Sequence, residues 1–158
     1  MKVYMAGPMT GIPFFNYPHF RSVAEMLREE GFKVISPIEM DSAAAVAAAL
    51  ASPNGTMEEF NAAFEGETPN TWGDFLSRDV KLIADDGIEA IVVLHGWEKS
   101  RGARLETFVA NAMCGLPVYS WANLAMHSAD PSRWQPISPL ALVKAWADKP
   151  DISFHSVA

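Results

Sequence analysis

Apolar and polar positions along this chain keep changing period. Residues 2–6, KVYMA, are a short apolar run ending in GPMTG, the pattern of a buried strand entering a turn. Over 17–30 the spacing becomes helical, with Phe20, Val23, Ala24 and Leu27 on one face and Gly31 as the stop. FKVIS (32–36), closed by Pro37, reads as a second strand. Helical spacing returns over 72–84, AIVVL (90–94) follows as a third strand, and a helix is expected over 101–114. After Gly115 and Pro117, VYSW (118–121) is a fourth strand. This alternation predicts an α/β fold whose central sheet is parallel, with right-handed crossovers.

Open sheets of that kind, Rossmann-like or flavodoxin-like three-layer sandwiches, bind ligands beyond the carboxyl ends of their strands. The segments that matter are therefore those after Ala6, Ser36 and His95. Two stretches fall outside the alternation. Residues 41–70 combine an alanine-rich helix, capped by Asp41 or Ser42, with a loop or lid that holds a helical turn. Residues 122–158 form a C-terminal extension: a proline-containing connector, a short helix at LALVKAWA, and a tail or packing arm. Length favours one domain over 1–158, with 1–121 as its α/β core.

Two carboxylates break the apolar faces. In the helix over 101–114, Leu105, Phe108, Val109, Ala112 and Met113 make an apolar stripe, and Glu106 lies beside it. Its neighbours a turn away are Gly102, Ala103, Val109 and Ala110, so it has no helical ion-pair partner. A capping box is excluded too, because Ala103 stands three residues after Ser100. The plain alternative is an exposed glutamate near a helix start. In the helix over 72–84, Asp79 has Phe75, Leu76, Leu82 and Ile83 as its turn neighbours. A carboxylate there is costly unless it is bonded, paired or protonated, and a buried Asp bonded to a neighbouring loop is the competing reading. Two such groups on helices flanking one strand suit glycosyl chemistry, where one carboxylate attacks the anomeric carbon and the other protonates the leaving group. Desolvation raises the pKa of an Asp, the right direction for that proton donor.

Composition narrows the partners. A net charge of −7 argues against a broad grip on a nucleic-acid polymer but leaves a small anionic molecule open. His19, His95, His127 and His155 lack metal-ligand spacing, and Cys114 is the single cysteine, so neither a metal site, a cofactor nor an internal disulfide is expected. The N-terminal residues carry no signal-peptide core, and AAAVAAALA (43–51) is too short to span a bilayer. A cytoplasmic protein without membrane attachment is the expectation.

The segments VYMAGPMTG, RDVKLIADDGIEAIVVL and SRGARLETFVANAMCGLPV together resemble the nucleoside 2-deoxyribosyltransferase-like superfamily, in particular its phage- and prophage-type branch. The resemblance covers about 1–121. It implies that Glu106 is the nucleophile that attacks C1′, that Tyr4 positions it by hydrogen bonding, and that Asp79 contacts the base and assists its departure. It also implies assembly into homo-oligomers, dimers or larger. Two chemistries occur in the superfamily: transferases pass deoxyribose between bases, and N-hydrolases act on nucleoside 5′-monophosphates. In the hydrolases a serine six residues before the nucleophile binds the phosphate, and Ser100 stands there. The plainer role for Ser100 is N-cap of its helix.

AGPMTG, with Gly7, Thr10 and Gly11, and SRGAR, with Ser100 and Gly102, supply a loop backbone and a helix start suited to a phosphate. Trp72 and Trp97 are candidates to stack on a base, although packing explains any single Trp at least as well. Phe14, Phe15 and Tyr17 carry the same ambiguity, and Asn16 is a candidate polar contact. The resemblance departs at one point. The hydrolases carry an arginine in the first loop, GPMTGIPFFN has none, and Arg21, Arg101 and Arg104 are the candidates to compensate. The favoured expectation is cleavage of the N-glycosidic bond of a nucleoside 5′-monophosphate. Base exchange on deoxyribose and a non-catalytic nucleotide sensor are the alternatives.

Overall fold

The computed structural model describes residues 1–66, 70–127 and 130–148. Strands β1 (Lys2–Ala6) and β3 (Ala90–Val93) are buried on both faces, because helices cover both sides of the sheet. With β2 (Lys33–Ile35) and β4 (Val118–Ser120) they form a sheet of order β2-β1-β3-β4 in which every pairing is parallel. The chain steps outward from β1 to β2 and then returns to the other side of β1 as β3. That reversal opens a crevice between the carboxyl ends of β1 and β3. The three-layer α/β sandwich expected from the alternation is the fold observed.

Alternate side chains of β1 serve opposite layers. Val3 and Met5 join a core with α1 (Tyr17–Glu29), α2 (Ala43–Leu50), α3 (Met57–Ala63) and α6 (Trp121–Met126). Tyr4 and Ala6 face α4 (Trp72–Asp85), α5 (Arg101–Phe108) and α7 (Pro139–Ala147). The register pairs Tyr4 with Ile35 on one side and Ile91 on the other.

Local signals end most elements near their expected positions. Ser42, rather than Asp41, caps α2 by accepting from the Ala45 amide, and Thr71 with Asp74 forms a capping box at the start of α4. Trp121 was expected to close a strand and instead begins α6, because the Ser120 hydroxyl caps that helix by accepting from Asn123. The last ten residues, expected as a tail or arm, lie outside the described residues. Among the described residues no helix is long and apolar enough to cross a membrane.

The largest departure is in α5. The expected apolar stripe does not face the sheet: Leu105 and Phe108 are more than one-third exposed and Met113 is 67% exposed. The buried face is Ala103, Glu106, Thr107 and, beyond the helix, Ala110. The expected single helix also changes its winding, to a π-helical turn at Val109–Met113. Small residues let α5 lie close over β1, and that approach brings Glu106 to Tyr4. The extension supports it from behind. Arg104 Nη2 donates to the Trp146 carbonyl at 2.8 Å, Trp146 Nε1 donates to Thr107 Oγ1 at 3.1 Å, and Phe108 meets the Trp146 ring edge-on at 5.3 Å.

Candidate active site

The site starts from the tyrosine of β1. Tyr4 is fully buried, and its hydroxyl donates to Glu106 Oε1 at 3.1 Å, joining the strand to α5. Asp79, on the buried face of α4, completes the cluster. Glu106 and Asp79 are only 6% and 7% exposed, yet both line one cavity of about 640 Å³, within the ~300–1,000 Å³ usual for small-molecule sites.

Asp79 does not stand alone. Arg78 Nε donates to Asp79 Oδ1 at 2.8 Å, Arg78 Nη1 to Asp41 Oδ1 at 2.7 Å, and Arg78 Nη2 to the Pro37 carbonyl at 3.2 Å. Asp41 also accepts from the Tyr17 hydroxyl. Tyr17, Asp41, Arg78 and Asp79 thus form a continuous chain leading to Tyr4 and Glu106, and all but Tyr4 line the cavity.

Electrostatics within the cluster are unequal. Burial pushes the Glu106 carboxyl up to about 8; the Asp79 charge acts the same way, and the Tyr4 hydrogen bond opposes it. Burial raises Asp79 too, but the Arg78 guanidinium pulls it back. Burial and the Glu106 charge raise Tyr4 well above its ordinary value, so it remains a hydrogen-bond donor. Burial thus favours the neutral form at both carboxyls, and the guanidinium offsets it more directly at Asp79, to which it is bonded, than at Glu106. The upward shift expected for Asp79 from desolvation is observed, and Glu106 shares it.

Trp72, Phe75 and Leu76 of α4 also line the cavity, and the remaining walls come from three other places. In the first loop, Gly7 lies where a Cβ would stand 2.9 Å from the Leu94 Cβ, so the close approach of the β1 and β3 ends requires glycine. Gly7, Thr10 and Gly11 line the cavity. Phe14, Phe15 and Asn16 then take three successive left-handed conformations, φ 56, 52 and 62°, costly for residues with side chains. Neighbours hold that turn: Asn16 Nδ2 donates to the Pro8 carbonyl at 2.9 Å, the Phe14 backbone N–H to the Ser52 carbonyl at 2.9 Å, and Phe15 packs edge-on against Phe60. Asn16 thus braces the loop and does not line the cavity, whereas Phe15 and Tyr17 do.

The 41–66 segment forms the second wall, with Ala49, Gly55, Thr56, Met57 and Phe60. It is joined to the first loop by the Gly11 amide, which donates to the Gly55 carbonyl at 2.9 Å. Gly55 has φ +65°, and a Cβ there would strike the Ile12 carbonyl oxygen, so only glycine keeps the two segments together.

The third wall is cationic. Lys99, Ser100, Arg101 and Gly102 line the cavity at the start of α5. Ser100 Oγ accepts from the Ala103 amide at 3.2 Å, the cap role, and among the described residues its O–H has no acceptor. Arg101 lies over the Trp72 ring with 4.4 Å to the centroid, spanning the starts of α4 and α5. Of the three arginines that could replace the missing first-loop arginine, Arg101 alone lines the cavity. Arg21 is exposed on α1, and Arg104 is bound to the extension. Trp97 is core packing.

A family model described as "Domain of unknown function (DUF4406)" matches residues 1–120, and the chain belongs to that family. The match spans β1 to β4 and contains every cavity-lining residue. No curated protein and no solved structure matches the chain.

Proposed function

We propose that this protein cleaves the N-glycosidic bond of a nucleoside 5′-monophosphate through a glycosyl–Glu106 ester. The carrying observation is the buried Asp79–Tyr4–Glu106 cluster, open to a cavity at the crevice of the sheet. Two carboxyls that share one proton have what such a reaction needs, a nucleophile and an acid.

In the reactive arrangement the shared proton sits on Asp79 and Glu106 is ionised. A Glu106 carboxylate oxygen attacks C1′, the C1′–N bond breaks, and its electron pair takes the Asp79 proton as the base leaves. Tyr4 holds the attacking carboxylate in place. Water then attacks C1′, the ester C1′–O bond breaks, and the Asp79 carboxylate takes a proton from that water. The pair again holds one proton, and the sugar phosphate leaves with retained configuration. Activity therefore falls on the alkaline side of about pH 8, where the pair loses its last proton.

Lys99, Arg101, the Ser100 O–H and the first amides of α5 suit a 5′-phosphate. Across the cavity, Phe15, Met57 and Phe60 offer an apolar wall for a flat base. The test is a panel of nucleosides and their 5′-monophosphates, with and without a second free base, followed by chromatography for released base. Release from monophosphates without an acceptor supports the reading. Dependence on the acceptor indicates a base-exchanging transferase, and nucleotide binding without release indicates a sensor.

A further inference from the structure

The cleavage steps leave Arg78 unused, together with Asp41, which anchors it, and Tyr17, which bonds Asp41. Arg78 stands among three buried carboxyls: Asp41, only 3% exposed in its side chain, Asp79 and Glu106. Ionising all three beside one guanidinium would leave two negative charges in excess, which burial does not tolerate, so a proton must reside on one of them. The hydrogen bonds decide which. Asp41 and Asp79 each accept a direct N–H from Arg78, at 2.7 and 2.8 Å, whereas Glu106 has the neutral Tyr4 hydroxyl. A guanidinium brings its own positive charge to each aspartate beside its N–H, and the neutral Tyr4 hydroxyl brings none to Glu106.

We propose that Arg78, anchored by Asp41, is a positioning residue that places the shared proton on Glu106, keeping the nucleophile neutral until a ligand draws on the guanidinium. The groups that set this balance come from every element around it: Tyr4 of β1, Tyr17 of α1, Asp41 after β2, Asp79 of α4 and Glu106 of α5, with Lys99 and Arg101 lining the same cavity. Reaction then requires the Arg78–Asp79 bond to loosen, so that Asp79 can take the proton. Arg78 itself lines the cavity, where an acceptor atom of the ligand can draw its N–H groups away. This proposal deepens the glycosidase reading and rests on it for its catalytic meaning.

The test is a pH titration of the ligand-free full chain by carbon NMR, with the side-chain carboxyls of Asp and Glu isotopically labelled. In the unaltered protein the higher of the two midpoints belongs to Glu106. In Arg78→Gln it moves to Asp79. In Arg78→Lys, which keeps a cation without the fork that spans two carboxylates, the gap narrows by about one pH unit; this variant serves if Arg78→Gln does not fold. A higher midpoint on Asp79 in the unaltered protein, its retention on Glu106 in Arg78→Gln, or an unchanged gap in Arg78→Lys overturns the proposal. None of these readouts requires turnover. A protein that releases no base from any nucleotide, yet shows these midpoints, loses the glycosidase reading and keeps the placement of the proton.

Discussion

Helices α1 and α5 lie on opposite faces of the same sheet and are held there by different means. α1 buries Tyr17, Phe20, Val23, Ala24 and Leu27 and turns its charged residues outward. α5 buries Ala103, Glu106 and Thr107 and leaves Leu105 and Phe108 partly in solvent. In α1 the hydrophobic effect alone accounts for the orientation. In α5 the core-facing place goes to a carboxylate, apolar burial is forfeited, and contacts from α7 compensate. Such forfeited stability is the usual mark of a site that serves chemistry.

Substitutions separate the two helices. The largest effect is expected for Glu106→Ala, which lowers base release by roughly 10⁴-fold or more while the thermal unfolding transition stays cooperative; measurable turnover in this variant breaks the contrast. Leu27→Ala does the opposite. It creates a cavity under α1 and costs about 2–5 kcal/mol in denaturant unfolding, with no direct effect on the site of the protein that remains folded.

The third effect is pH-dependent. The Glu106 carboxyl is raised to about 8 in the folded chain, so between its unfolded value and about 8 the folded state binds the extra proton. Native stability from this group is therefore greatest below the unfolded pKa and falls as pH rises through that window. Glu106→Gln removes the dependence. The variant should match the parent near pH 4 and exceed it by on the order of a few kcal/mol at pH 8, read as denaturant midpoints at each pH. A constant difference across pH contradicts the buried, protonated glutamate. The smallest effect belongs to Leu105→Gln on the outward side of α5, expected to change stability by about 0.5 kcal/mol or less.

The same contrast explains what could be read from the sequence. Where burial follows the apolar pattern, as in β1, β3 and α1, the elements stand close to their expected positions. Periodicity equates the apolar face of a helix with its core face, and in α5 the core face belongs instead to Ala103, Glu106 and Thr107. The oddity of Asp79 and Glu106 among apolar and small neighbours was legible, and both line the cavity. Arg78 was not: it precedes Asp79 like any exposed helical arginine, and its partner Asp41 lies 37 residues away. Asp41 looked like a helix cap, yet Ser42 has that role and leaves the aspartate free to face Arg78 and Tyr17. The left-handed run at Phe14–Asn16 has no sequence signal, since neither phenylalanine favours positive φ.

A sugar ester on Glu106 is open to detection by mass spectrometry of the intact protein. The protein is mixed with a 2′-fluoro-substituted deoxynucleoside 5′-monophosphate, whose fluorine slows release of the ester, then acid-quenched and mapped by peptide. The expected result is a gain of one fluorinated sugar phosphate, located on Glu106 and missing from Glu106→Gln. Base release with no adduct on Glu106, or undiminished release by Glu106→Gln, would contradict it.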